Sequence, residues 1–169
     1  MSSTPQHQSR KAVAPDRTPF AQPDALKHLH VLLVEDEPDV ASLFLFILQA
    51  GGASVQLAVS AQEGLEKLNF SCPDLLISNV KLPDQDGCWL LQQVRAQGFS
   101  QHQLPAIAVT SYTREVHRQE ALAAGFQTFL SKPLDPDDLV QAVLQLVEAA
   151  NSIRGQENRP TETLREDDI

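Results

Sequence analysis

The chain has 169 residues and carries 13 basic against 22 acidic side chains, a formal net charge of −9. Its apolar fraction of 42% and its two cysteines, Cys72 and Cys88, fit one domain with tails. They exclude a disulfide scaffold, a collagen-like or coiled-coil chain, and wholesale disorder. No apolar run reaches the roughly 18 residues of a membrane helix, no signal-peptide-like stretch opens the chain, and no Cys/His cluster offers a zinc site. A cytoplasmic protein without membrane contact is the expectation.

The acid is concentrated in the middle. Residues 28–150 hold six basic and fifteen acidic groups, whereas residues 1–27 hold four basic and two acidic ones. Direct nucleic-acid binding needs a basic face to neutralise phosphates, and the middle lacks one.

Residues 1–27 are polar and proline-bearing with no apolar period, which predicts a disordered N-terminal tail. Residues 29–34, LHVLLV, read as a first strand. Pro38 opens a helix that stops at Gly51-Gly52, since a proline at the first turn forfeits no hydrogen bond. Residues 54–59 are a second strand, and Ser60 with Glu63 three positions on forms a capping box for a second helix. A strand over 74–79, a helix over 87–97, a strand over 105–110, a helix closed by Gly125 and a strand over 127–131 follow. Pro136 opens a last helix through Ala149, and residues 151–169 read as a disordered C-terminal tail.

Five strands alternating with five helices, most strands being continuous apolar runs, predict an α/β fold with a parallel sheet covered on both faces. Right-handed crossovers make it a doubly wound, flavodoxin-like (βα)5 sheet of order 2-1-3-4-5, with the functional pocket beyond the carboxyl ends of the strands. Those ends carry Glu35-Asp36, Asn79, Thr110 and Lys132-Pro133. Two carboxylates, an amide, a hydroxyl and an ammonium therefore converge on one rim. The sequence has no G-x-S-x-G, G-x-x-x-x-G-K-[ST] or G-x-G-x-x-G motif to suggest an enzyme of similar topology.

On these residues, residues 28–150 resemble the CheY-like response-regulator receiver domains of two-component phosphorelay signalling. The matching stretches are VLLVEDEPDV, the spacing N-x-x-L-P-x-x-D-G from Asn79 to Gly87, AVTS and FLSKPL. The resemblance implies a signalling module rather than an enzyme. It would take a phosphoryl group from a histidine kinase or phosphotransfer protein onto an aspartate, assisted by Mg2+, and signal to a partner or output domain. By position, it makes Glu35 and Asp36 the metal-holding pair, Thr110 the switch hydroxyl, Lys132 the phosphoryl-contacting lysine and Phe129 the aromatic whose rotamer reports activation.

The phosphoacceptor position is Asn79. A carboxamide oxygen is neutral and a far weaker nucleophile than a carboxylate. Magnesium favours anionic oxygen, so loss of one of three carboxylates predicts weak metal binding. Lys81 either reaches the rim as a pocket cation or is solvated. Two readings follow: a pseudo-receiver that acts by protein contact without phosphorylation at Asn79, or an ordinary phospho-accepting receiver carrying an Asp-to-Asn substitution at that position.

Overall fold

The computed structural model describes residues 22–111 and 115–157. The elements in chain order are β1 (His30–Val34), α1 (Pro38–Ala50), β2 (Ser54–Ala58), α2 (Ala61–Phe70), β3 (Leu75–Asn79), α3 (Gly87–Ala96), β4 (Ala106–Thr110), α4 (Glu115–Ala124), β5 (Thr128–Ser131) and α5 (Pro136–Glu157). The strands form one sheet in the order β2-β1-β3-β4-β5, and every pair is parallel. This is the flavodoxin-like α/β arrangement that the strand–helix alternation predicts.

Side chains along a strand alternate between faces, and the two faces build separate cores. Val31, Leu33, Leu75, Ile77, Ile107 and Val109 pack with Phe44 and Ile47 of α1 and with Leu139 and Val143 of α5. Leu32, Val34, Leu76, Ala106 and Ala108 pack with Leu68 of α2, Leu90 and Val94 of α3 and Ala121 of α4. The central strands β3 and β4 are buried from end to end. This explains why they read as unbroken apolar runs rather than as alternating ones.

Local sequence sets the helix starts. Pro38 begins α1. At α2 the Ser60 hydroxyl accepts from Glu63 N at 3.1 Å, as the capping box predicts, while Glu63 Oε2 accepts at 2.8 Å from Val59 N, one residue before the cap, instead of from Ser60 N. The other two leading N–H groups of α2 are served from far along the chain. Asp84 Oδ1 accepts from Ala61 N at 2.9 Å and Oδ2 from Gln62 N at 2.8 Å. One carboxylate thus fastens the loop after β3 to the start of α2, where it also meets the positive end of the helix dipole. Partial burial works against the Asp84 charge, but the N–H groups of Gln62, Ala61 and Gln85 outweigh it and hold the carboxyl below its ordinary value.

Both predicted tails are shorter than the sequence suggests. Leu26, inside the stretch read as disordered, is fully buried in the α1/α5 core. Leu26 N donates to Gly51 O at 2.7 Å, and a Cβ on residue 51 would stand 3.0 Å from the Leu26 side chain, so the glycine makes room for the leucine. At the other end α5 runs past Ala149 to Glu157. Arg154 explains the extension: its Nε donates to His102 O at 2.6 Å and its Nη2 to Gln103 O at 3.1 Å. Residues 1–21 and 158–169, the remainder of the predicted tails, lie outside the described residues.

Two outcomes are expected. Leu26→Ala should lower unfolding free energy by about 2–5 kcal/mol, the usual range for a fully buried leucine, read from urea denaturation followed by circular dichroism. A residue 26 that belongs to a tail would show no change. Because the folded-state pKa of Asp84 is lowered, its contribution is present above the ordinary carboxylate range and is lost as pH falls through the lower folded value. Asp84→Ala should therefore be less stable than the unaltered chain at neutral pH, and the two should converge on acidification.

Candidate functional site

The side chains that the sequence places on the rim are held there by the sheet itself. The backbone ladder continues one residue beyond three of the strands. Glu35 N donates to Ala58 O at 2.9 Å, Val80 N to Val109 O at 3.0 Å and Lys132 N to Thr110 O at 2.9 Å. Glu35, Asn79 and Lys132 are thereby fixed at the carboxyl ends of β1, β3 and β5. The loop after β3 folds tightly back: Gly87 N donates to Val80 O at 2.8 Å. A Cβ on residue 87 would lie 2.5 Å from the Asn79 carbonyl oxygen, so only glycine fits where α3 begins beside the strand end.

Glu35 is at the centre. It is 1% exposed, and all its carboxylate partners come from other rim residues. Oε1 accepts from Glu37 N at 3.0 Å and from Asn79 Nδ2 at 3.3 Å, while Oε2 faces Lys132 Nζ at 2.9 Å. Asn79 Nδ2 also donates to Asp36 Oδ1 at 3.2 Å. The two amide hydrogens are thus divided between the acidic pair. Lys132 reaches a second carboxylate, Glu37 Oε1, at 3.3 Å.

Asp36, Glu37, Asn79, Lys81, Thr110 and Ser111 line an open cleft of about 350 Å³ over this cluster. Thr110 is fully buried, and Lys81 is exposed on the cleft wall. Phe129 is half-buried in β5 and packs against the α2–α4 core. A larger groove of about 530 Å³ lies at the opposite end of the sheet beside His30, Ser54 and Cys72, away from these side chains.

The donor set does not suit a bound divalent cation as it stands. Glu35 has both oxygens engaged and Asp36 one, and the groups facing them are an amide NH2 and an ammonium. Among the described residues no group of three or more His, Cys, Asp and Glu side chains is placed to hold a metal ion. Chemically, the cluster pairs its buried carboxylates with internal donors, an amide and an ammonium.

Glu37 is a member of this cluster that the sequence does not single out. Its only signal is a third acid directly after Glu35-Asp36, which reads equally well as an ordinary residue in the turn before a helix. Cys88 is not a reactive group here. Burial, with Asp86 and Glu120 nearby, pushes its thiol up to about 11, which keeps it protonated at neutral pH.

Comparison with known proteins covers most of the folded part. The response regulator receiver domain model matches residues 31–144. The uncharacterized 14.6 kDa protein in the sodA1 3′ region of Leptolyngbya boryana is 42% identical over 120 residues, 71% of this chain and 91% of that protein. Response regulator Rre1 of Synechocystis sp. is 35% identical over 133 residues, 77% of this chain but only 57% of that protein. Among solved structures, a CheY-like response regulator receiver domain protein from Methanospirillum hungatei superposes with a TM-score of 0.69 at 26% identity, covering 74% of this chain and 98% of that one.

Proposed function

Because the chain belongs to the response regulator receiver domain family, we propose that it is a pseudo-receiver that signals by protein contact and does not use Asn79 as a phosphoacceptor. Receiver domains are signalling modules that interact with histidine kinases or phosphotransfer proteins, are often linked to output domains, and commonly bind Mg2+ at the phosphorylation site. The carrying observation is the Asn79 amide, whose nitrogen donates to both Glu35 and Asp36. An aspartate there would put a third negative charge beside two others and would need a cation to relieve it. The amide relieves it internally, and it offers phosphorus no oxyanion.

The same reasoning makes Mg2+ a weak ligand of this pocket. A metal on Glu35 would have to displace Lys132 or the Asn79 amide, and magnesium gives up its waters reluctantly. Thr110, Phe129 and Lys132 keep positions suited to sensing a phosphoryl group, and they become useful only when residue 79 can carry one. Lys81 adds a positive charge to the cleft wall. The partner is a histidine kinase, a phosphotransfer protein or an output domain, met in the cytoplasm. No helix among the described residues is long and apolar enough to cross a membrane.

Acetyl phosphate with Mg2+, followed by intact mass and peptide mapping, tests the reading. The unaltered chain should gain no alkali-labile phosphoryl group at residue 79, and Asn79→Asp should gain one. A stoichiometric adduct on residue 79 of the unaltered chain overturns the proposal and favours the ordinary phospho-accepting receiver.

Magnesium titration, watched through Trp89 fluorescence or pocket amide shifts, should approach saturation only well above the low-millimolar range. Asn79→Asp should bind more tightly and be stabilised by Mg2+ through linkage. Lys81→Ala should also bind more tightly if its ammonium serves the cleft. Tight Mg2+ binding by the unaltered chain contradicts the pocket chemistry described above.

A further inference from the structure

The outer edge of the sheet carries a set of contacts that the site does not use. β2 is an edge strand, hydrogen-bonded to β1 alone. Ser54 N donates to Leu29 O at 2.8 Å, and Ala58 O accepts from Glu35 N at 2.9 Å, so both residues turn their backbone groups toward β1. Backbone groups alternate sides along a strand, and those of Val55, Leu57 and Val59 therefore point outward. The strand, SVQLA, holds no proline and no charged side chain, and Ser54 and Gln56 are exposed. Natural sheets blunt such an edge with lysine, proline or a bulge, because an open one templates pairing with another chain.

Here the cover comes from α2. Lys67 Nζ donates to Leu57 O, Glu63 Oε2 accepts from Val59 N at 2.8 Å, and Glu63 Oε1 lies 2.7 Å from Lys67 Nζ. Strand carbonyl, ammonium, carboxylate and strand N–H thus form one bridge along the edge. The Lys67 ammonium and the Val59 N–H hold the Glu63 carboxyl below its ordinary value. An ion pair on a helix surface needs neither strand contact, and the bridge accounts for Glu63 passing over Ser60 N. Among the described residues no side chain covers Val55, whose N–H and C=O lie beside the open groove of about 530 Å³.

We propose that the Glu63–Lys67 bridge is a guard that keeps β2 from pairing with β2 of a second copy of this chain. The strand is self-complementary. In an antiparallel pair centred on Gln56, Val55 of one copy exchanges both hydrogen bonds with Leu57 of the other, and the two Gln56 side chains face each other on the two-fold axis. No like charges meet, because the strand carries none. The pairing requires Leu57 O, which Lys67 holds. β1 stands between β2 and β3, so the guard is independent of the chemistry at residue 79.

Sedimentation velocity of the full chain over a concentration series tests this. Lys67→Met keeps the apolar stem and loses the donor. It should tighten self-association by about tenfold, the effect of freeing two backbone acceptors, and move the mass toward twice 18.6 kDa. Lys67→Arg, which still donates, should match the unaltered chain. On the Lys67→Met background, Gln56→Lys sets like charges opposite each other and should return association to the unaltered value. Mixing that double variant with Lys67→Met/Gln56→Glu should restore it. Lys67→Ala carries the same expectation and replaces Lys67→Met if circular dichroism shows the latter unfolded. A folded variant without the donor that gains no association overturns the proposal. So does a gain that Gln56→Lys leaves unchanged, which assigns the contact to another face.

Discussion

The Glu35 carboxylate is 1% exposed and set among buried strand ends. Taking a carboxylate out of water costs several kcal/mol even after the protein relaxes, and only good donors offset this. Glu35 has three: an ammonium from the loop after β5, an amide from the end of β3 and a backbone N–H from the turn before α1. Three segments far apart in sequence are thus drawn to one anion, and the rim of the sheet takes its shape from that demand. The hydrophobic faces decide which helices cover which strands. The buried charge decides how the loops above them close.

This constraint bears directly on what residue 79 can do. An amide is a donor as well as an acceptor, so Asn79 can satisfy Glu35 and Asp36 together with no ion present. A carboxylate of nearly the same size can only accept, and the same pocket would then hold mutually repelling anions. Lys132, shared between Glu35 and Glu37, is already paired. On the proposed reading the amide and the lysine between them perform the charge balancing that a bound cation would otherwise perform, and the loops close without a ligand.

The strands were legible because burial on both faces writes continuous apolar runs into β3 and β4, and the helix starts were legible because Pro38 and the Ser60/Glu63 pair are local signals. What stayed hidden is set by tertiary contact. Leu26 is a single apolar residue in a polar stretch, with no period to betray it, and its burial depends on the space left by Gly51. The last turns of α5 contain Asn151, Ser152 and Gly155, which argue against a helix. Arg154 fixes them through carbonyls about fifty positions away. Asp84 sits in the loop after β3 with no local signal beside it, yet it caps a helix more than twenty residues earlier in the chain. In the site, residue types at strand ends marked Glu35, Asp36, Asn79, Thr110 and Lys132, and the sheet brings them to one rim. The clamp by Glu37 was not readable, because nothing in the sequence says which of three consecutive acids turns toward Lys132.

A two-state protein responds to a ligand only by that ligand's differential affinity for its states. On the proposed reading, a receiver with an amide at residue 79 lacks a covalent ligand, and its resting balance is set by the chain's own charges, chiefly Lys132 between Glu35 and Glu37. Any partner that prefers one arrangement of the β5–α5 loop must then supply that preference through contact energy alone. Breaking the Lys132 pairs would uncover a buried carboxylate, at a cost larger than the 1–3 kcal/mol typical of coupling between sites. On the proposed reading the chain is therefore biased toward one state, and it would serve partners that recognise that state rather than partners that must switch it.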